Sequence, residues 1–142
     1  MSIRQDIVDA VETAVTGLAT TGANVHNRRT FALGTVPALN VYWSEDEPSY
    51  DEGTLGSIPM RRLEVHVEGY IKGDDESVLD DIYDEVEPAL YADQTLGGLA
   101  IGIELGTHTI GPEGEGEDRV LAVDLVYVVF YRTAEGAPGV AV

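Results

Sequence analysis

Cysteine is absent from the 142 residues, which excludes a disulfide framework, a thiol nucleophile and any cysteine metal site. Lysine is nearly absent as well. Lys72 is the only one, among 8 basic residues set against 26 acids for a formal net charge of −18. A field of that sign repels nucleic acid and anionic membrane, so tight non-specific DNA binding is not expected. No apolar run approaches the ~20 residues of a membrane span; the longest, Leu125 to Tyr131, is strand-sized. The opening Met1-Ser2-Ile3-Arg4-Gln5-Asp6 has no signal-peptide pattern. Cytoplasmic retention, or carriage inside a particle assembled there, is therefore expected.

Catalytic signatures are equally sparse. Ser2, Ser44, Ser49, Ser57 and Ser77 all lie outside a Gly-x-Ser-x-Gly elbow. The glycines from Gly111 to Gly116 are interleaved with glutamates, which repel phosphate, and no phosphate-loop lysine accompanies them. His26, His66 and His108 show no paired metal spacing and sit on three different predicted strands. Glu64 and Glu68, on one strand face, are roughly 13 Å apart at ~3.3 Å per residue, too far to share a proton. The acid-rich stretch near Asp80 lacks a calcium-loop pattern. No catalytic residue, cofactor or metal site is expected.

What is present is strong patterning. Ser2 and Gln5 read as a capping box, and Ile3, Ile7, Val8, Val11, Ala14, Val15 and Leu18 recur at helical spacing up to a stop near Gly17 or Gly22. Residues 24 to 31 read as a short strand and Ala38 to Trp43 as a second, followed by an acidic loop from Ser44 to Ile58. Met60 to Lys72 alternates, with Leu63, Val65, Val67, Gly69 and Ile71 on one face and Arg62, Glu64, His66, Glu68, Tyr70 and Lys72 on the other. Val78, Leu79, Ile82, Tyr83, Val86 and Leu90 predict a second helix whose last turn Pro88 loosens. Leu99 to Ile110 reads as a glycine-interrupted strand, 111 to 118 as a connector and Arg119 to Thr133 as a strand apolar on both faces.

The expected fold is a single α+β domain over residues 1–133, with 134–142 a flexible tail. Its order is α-β-β-β-α-β-β, a two-layer sandwich in which two one-faced helices cover one face of a mainly antiparallel sheet. The other sheet face is left bare and suits an interface. The pairs Arg28-Arg29 and Arg61-Arg62 hold half of the basic residues, and arginine favours intersubunit ion pairs. With Trp43, Tyr50, Glu64, His66, Glu68 and Tyr70 they form the candidate interface set.

Several segments together resemble the tail terminator proteins of lambda-like long-tailed phages. These are the N-terminal amphipathic helix, Pro37-Ala38-Leu39-Asn40-Val41-Tyr42, the acidic loop, Arg62-Leu63-Glu64-Val65-His66-Val67-Glu68-Gly69, the Asp-rich helix, Asp93-Gln94-Thr95-Leu96-Gly97-Gly98-Leu99 and the closing Phe130-Tyr131-Arg132-Thr133. The resemblance spans nearly the whole chain. It implies a virion protein without catalysis: a hexameric ring at the head-proximal end of the tail that ends growth of the tail tube. Its implied partners are the major tail tube protein and the head–neck connector, with genomic DNA passing through the lumen unbound. Two alternatives stay open: another neck or tail- or head-completion adaptor, and a small acidic metal-binding or enzymatic domain from a halophile.

Acid-rich, lysine-poor composition also fits a saline host, because at about 1 M salt the Debye length falls to ~3 Å and self-repulsion is screened. The expected outcome is a melting temperature that climbs from dilute to molar salt in a thermal-unfolding series. A flat or falling series removes the saline reading.

Overall fold

The computed structural model describes residues 2–27, 36–49, 59–73, 76–113, 120–134 and 136–141. Helix α1 (Ile3–Ala14) begins at Ser2, whose hydroxyl accepts from the Gln5 N–H at 3.1 Å. Only half of the expected capping box forms, because the Gln5 amide donates to Asp9 instead. The helix ends at Ala14, earlier than its apolar pattern suggests. A turn follows in which the Gly17 N–H donates to the Gly22 carbonyl and Gly22 back to Leu18, with both glycines at positive φ.

Strand β1 (Val25–His26) pairs in parallel with β2 (Ala38–Ser49). The expected strand over 24–31 thus reaches only His26 among the described residues, and Arg28 and Arg29 lie outside them. Strand β2 corrects a second expectation. Residues 44–49, read as the start of an acidic loop, continue the strand and pair with β3 (Met60–Lys72). Favourable neighbours draw the acids in: Asp46 accepts from Arg4 and from the Tyr131 hydroxyl, and Glu47 lies opposite Arg62. Beyond the two residues covered by β1, this side of β2 is a free edge among the described residues, where Pro48 is tolerated. Tyr50 and the rest of the expected loop to Ile58 include or adjoin undescribed residues, with 50–58 outside the description.

Helix α2 (Glu76–Tyr91) buries Leu79, Ile82, Val86 and Leu90, and continues for three residues past Pro88. After it, the Asp93 carboxylate accepts from the Thr95 N–H and hydroxyl and from the Gly97 N–H. These bonds close the turn that buries Leu96. Strand β4 (Gly102–Glu113) starts later than the sequence pattern and runs into the expected connector. Its register slips between Leu105 and His108. Gly106 sits in that irregularity because a Cβ there would meet the Val126 carbonyl oxygen at 2.8 Å.

Strand β5 (Val120–Ala134) lies between β3 and β4, as its two apolar faces require, and the sheet order is β1-β2-β3-β5-β4. The C-terminal stretch expected as a loose tail instead contains strand β6 (Ala137–Ala141), which pairs antiparallel with the end of β5 and touches α1. A short turn with Gly136 at positive φ lets the chain reverse there.

Both helices pack on one sheet face, making the α+β sandwich with its mostly antiparallel sheet. Ile7, Val8 and Val11 of α1 share one core with Ile82, Val86 and Leu90 of α2 and with Leu39, Val41, Leu63, Val65, Val67, Leu125, Tyr127 and Val129 of the sheet. The opposite face carries no helix among the described residues, yet it is not uniformly bare. Ala38, Asn40, Tyr70, Ala122 and Val128 are buried there. Ala38 and Ala122 lie beside Tyr70 in the register, and Val128 lies between Glu64 and Glu104, so larger neighbours shield smaller ones.

Helix α2 approaches the sheet closely at Gly69, where a Cβ would meet Ile82 at 3.1 Å and Val123 of the neighbouring strand at 3.2 Å. Gly69→Val forces these apart, and a loss of about 1–3 kcal/mol is expected from overpacking. A urea titration reads this as a lowered midpoint; an unchanged midpoint means the contact is looser than described.

Candidate functional site

The helix-free face of β3 presents Arg62, Glu64, His66 and Glu68 in one row, as strand alternation requires. Two neighbouring strands complete a network around His66. From β5, Asp124 lies opposite Glu68 and accepts from His66 Nδ1 at 2.9 and 3.1 Å. From β2, Ser44 Oγ lies 2.6 Å from His66 Nε2 and 3.5 Å from Glu64 Oε2. Arg62 pairs with the other Glu64 oxygen at 3.2 Å. The Tyr42 ring stacks on the imidazole, with centroids 4.8 Å apart and planes within 6°.

A β-bulge explains the reach of Ser44. Trp43 pairs with Val65 and Glu45 with Glu64, so Ser44 is the extra residue between two consecutive partners. A bulge takes its extra residue out of the ladder and re-aims its side chain. Trp43, just before it, falls on the helix side and packs against the core, with the Arg4 guanidinium 4.0 Å above its ring.

The electrostatics follow from this crowding. The hydrogen bond to Asp124 raises the His66 pKa above its usual 6.5, helped by Asp124, Glu68 and Glu64 charges and opposed by burial. Burial raises the Glu68 pKa, reinforced by Asp124 and opposed by hydrogen bonds from Tyr42 and Tyr70 and by His66. With imidazolium present, the chain is fully satisfied: Nδ1–H donates to Asp124, Nε2–H to Ser44, and the Ser44 hydroxyl to Glu64. With neutral imidazole protonated at Nδ1, Nε2 becomes an acceptor and the single hydroxyl proton turns to it.

The candidate interface residues therefore separate. Arg62, Glu64, His66, Glu68 and Tyr70 share the helix-free face. Arg61 points to the other side, lying opposite Tyr131 in the register, near Arg4 and Asp46. Arg28, Arg29 and Tyr50 are outside the described residues. Three members of the network, Asp124, Ser44 and Tyr42, were not anticipated. Asp124 had a legible signal, since it is the only charged residue between Val120 and Tyr131 in an otherwise apolar strand. Ser44 had none, because its facing depends on the bulge.

The three histidines do not converge. His26 bonds to Asn24, while His108 lies on the helix side against Tyr83 and Tyr127. Among the described residues, no group of three or more His, Asp or Glu side chains could hold a metal ion, and no helix is long and apolar enough to cross a membrane. The chain matches no protein-family model, and no curated protein matches it.

His66 and Glu68 both hold protons more tightly in the folded chain than in the unfolded one. A raised folded pKa contributes stability that is complete below the unfolded value and is lost as pH climbs through the folded value. Stability should therefore decline as pH rises past 4.5 for Glu68 and past 6.5 for His66. Urea midpoints across this window measure it. His66→Gln should flatten the upper part of the decline, and an unaltered slope would show that His66 is not its source.

Proposed function

We propose that the protein is a structural virion subunit, a tail terminator of the phage type. Six copies close a ring at the head-proximal end of the tail, halt growth of the tail tube and join the tail to the head–neck connector. The observation that carries this reading is the exposed outer edge of β4. Ile101, just before the strand, and Leu105 and Ile110 within it are each about half exposed, at 51%, 53% and 52%, and Glu104 is the only carboxylate between Gly102 and Gly111. Proteins that remain single usually blunt such an edge with charge, proline or a cover. The β4 edge has one irregularity at Gly106 and a proline only near its end, at Pro112, and among the described residues no strand pairs with its outer side, so the exposed Leu105 and Ile110 favour a neighbouring chain.

Ring closure needs head-to-tail contacts, in which one surface of a subunit meets a different surface of the next. The β4 edge supplies one surface. The helix-free face, with its Arg62–Glu64 pair and polar row, supplies another of distinct chemistry. The acidity suits a lumen through which DNA slides, because a negative wall does not hold a polyanion. The major tail tube protein binds one side of the ring, and the other side refuses a further tube subunit.

Negative-stain microscopy and native mass spectrometry of the purified chain, alone and with tube protein, test the reading. Six-fold rings that cap tubes at uniform length are expected. A chain that stays monomeric in both conditions and leaves tube growth unlimited overturns it.

A further inference from the structure

We infer that Ser44, His66 and Asp124 form an acyl-transfer relay able to hydrolyse small neutral carboxylic esters, an activity separate from ring assembly. Three independent strands bring together a hydroxyl, an imidazole and a carboxylate in the roles such a relay requires. The nucleophile lies 2.6 Å from Nε2, and the carboxylate lies 2.9 Å from Nδ1 on the far side of the ring. Such relays are recognised by geometry and role rather than by chain order, and this one has no elbow motif. The β2 bulge aims Ser44 at the imidazole, and Tyr42 stacking fixes the ring plane. Ser44 is exposed, so a substrate carbonyl can approach Oγ from solvent.

The step balances without a further co-reactant. Ser44 Oγ attacks the ester carbonyl carbon as its proton passes to His66 Nε2, forming the new C–O bond. The tetrahedral intermediate collapses, the bond to the alcohol oxygen breaks, and His66 returns the proton to that oxygen. Water then attacks acyl-Ser44 with His66 again as base, releasing the carboxylic acid and restoring the hydroxyl. Asp124 is the positioning residue: it holds the Nδ1–H tautomer and stabilises the imidazolium formed in each half. Arg62 pairs with one oxygen of the Glu64 carboxylate whose other oxygen Ser44 Oγ approaches, which puts a cation in the same network as the developing oxyanion.

The surroundings define the substrate class. Glu64 and Glu68 flank His66 on β3 and Asp124 lies behind it, and these carboxylates disfavour an anionic acyl group and leave neutral esters as the fitting class. The reacting form needs neutral imidazole, whereas Asp124 on β5 and Glu64 and Glu68 on β3 all favour the imidazolium. Ester turnover should therefore rise with pH through the His66 titration.

The full chain is treated with a neutral fluorophosphonate probe, and separately with p-nitrophenyl acetate, at a pH of about 9, above the ordinary imidazole range. Expected are one phosphonyl group mapped to Ser44 and ester hydrolysis that is abolished in Ser44→Ala. His66→Gln and Asp124→Asn should each slow it by roughly 100-fold or more, the scale of a lost general base or its orienting partner. The labelling of the unaltered chain decides the case even if a variant fails to fold. Absence of label on Ser44 in a natively folded chain overturns the inference, as does labelling that persists undiminished in folded His66→Gln. Because probe labelling and ring formation are separate readouts, either can fail without the other.

Discussion

One contact layer organises the whole molecule: the apolar seam between two helices and a single face of the sheet. At Gly69 the absence of a side chain lets Ile82 of α2 press close onto β3 beside Val123 of β5. Every core residue of α1 and α2 is spent on that seam. The outer helix surfaces then carry acid, as at Asp80, Asp81 and Asp84, which are exposed. The far sheet face, relieved of helix packing, can hold polar groups on β3 without breaking the core. The tie between the α1 exit turn and α2, where Glu85 accepts from the Thr20 N–H and hydroxyl, keeps the helices from sliding apart.

Periodicity made much of this legible. The alternation of Met60 to Lys72 and the helical stripe from Val78 to Leu90 each had one apolar face, and both faces met the same seam. Strand β5 was apolar on both sides and proved central. Composition misled at Ser44 to Ser49, where consecutive acids read as loop; their partners Arg4, Tyr131 and Arg62 are distant in sequence and invisible to local pattern. It misled again at Ala137–Ala141, a small-residue stretch whose strand character comes from pairing with β5 and contact with α1 rather than from propensity. The candidate site was half legible. Alternation put Arg62, Glu64, His66 and Glu68 together, whereas Ser44 needed a bulge that no periodicity announces.

A second buried polar group shows that the acids are not only surface decoration. Asp46, on the helix side, accepts from Arg4 and Tyr131, and its carboxylate helps push the Tyr131 hydroxyl well above the usual phenol range after burial has done the larger share. Arg4 in turn lies over Trp43. The start of α1 is thereby clamped to the ends of β2 and β5 by one ion pair, one hydrogen bond and one cation–π contact. Asp46 and Ser44, two residues apart, serve opposite faces of the sheet: one locks a helix, the other joins the His66 network.

The proton count on the Ser44 hydroxyl distinguishes two states of the helix-free face. When His66 is imidazolium, each hydrogen of the chain from Asp124 to Glu64 has an acceptor, and Nε2 holds a proton and cannot serve as a base. Removing one proton makes Nε2 an acceptor, turns the Ser44 hydroxyl away from Glu64 and leaves that carboxylate with Arg62 alone. The same residues thus serve as a hydrogen-bonded polar row on the acid side of the titration and, in the relay, as nucleophile and base on the alkaline side. In the proposed ring, Leu105 and Ile110 of the β4 edge carry no titratable group and do not change with that proton, whereas the Arg62–Glu64 pair of the helix-free face does.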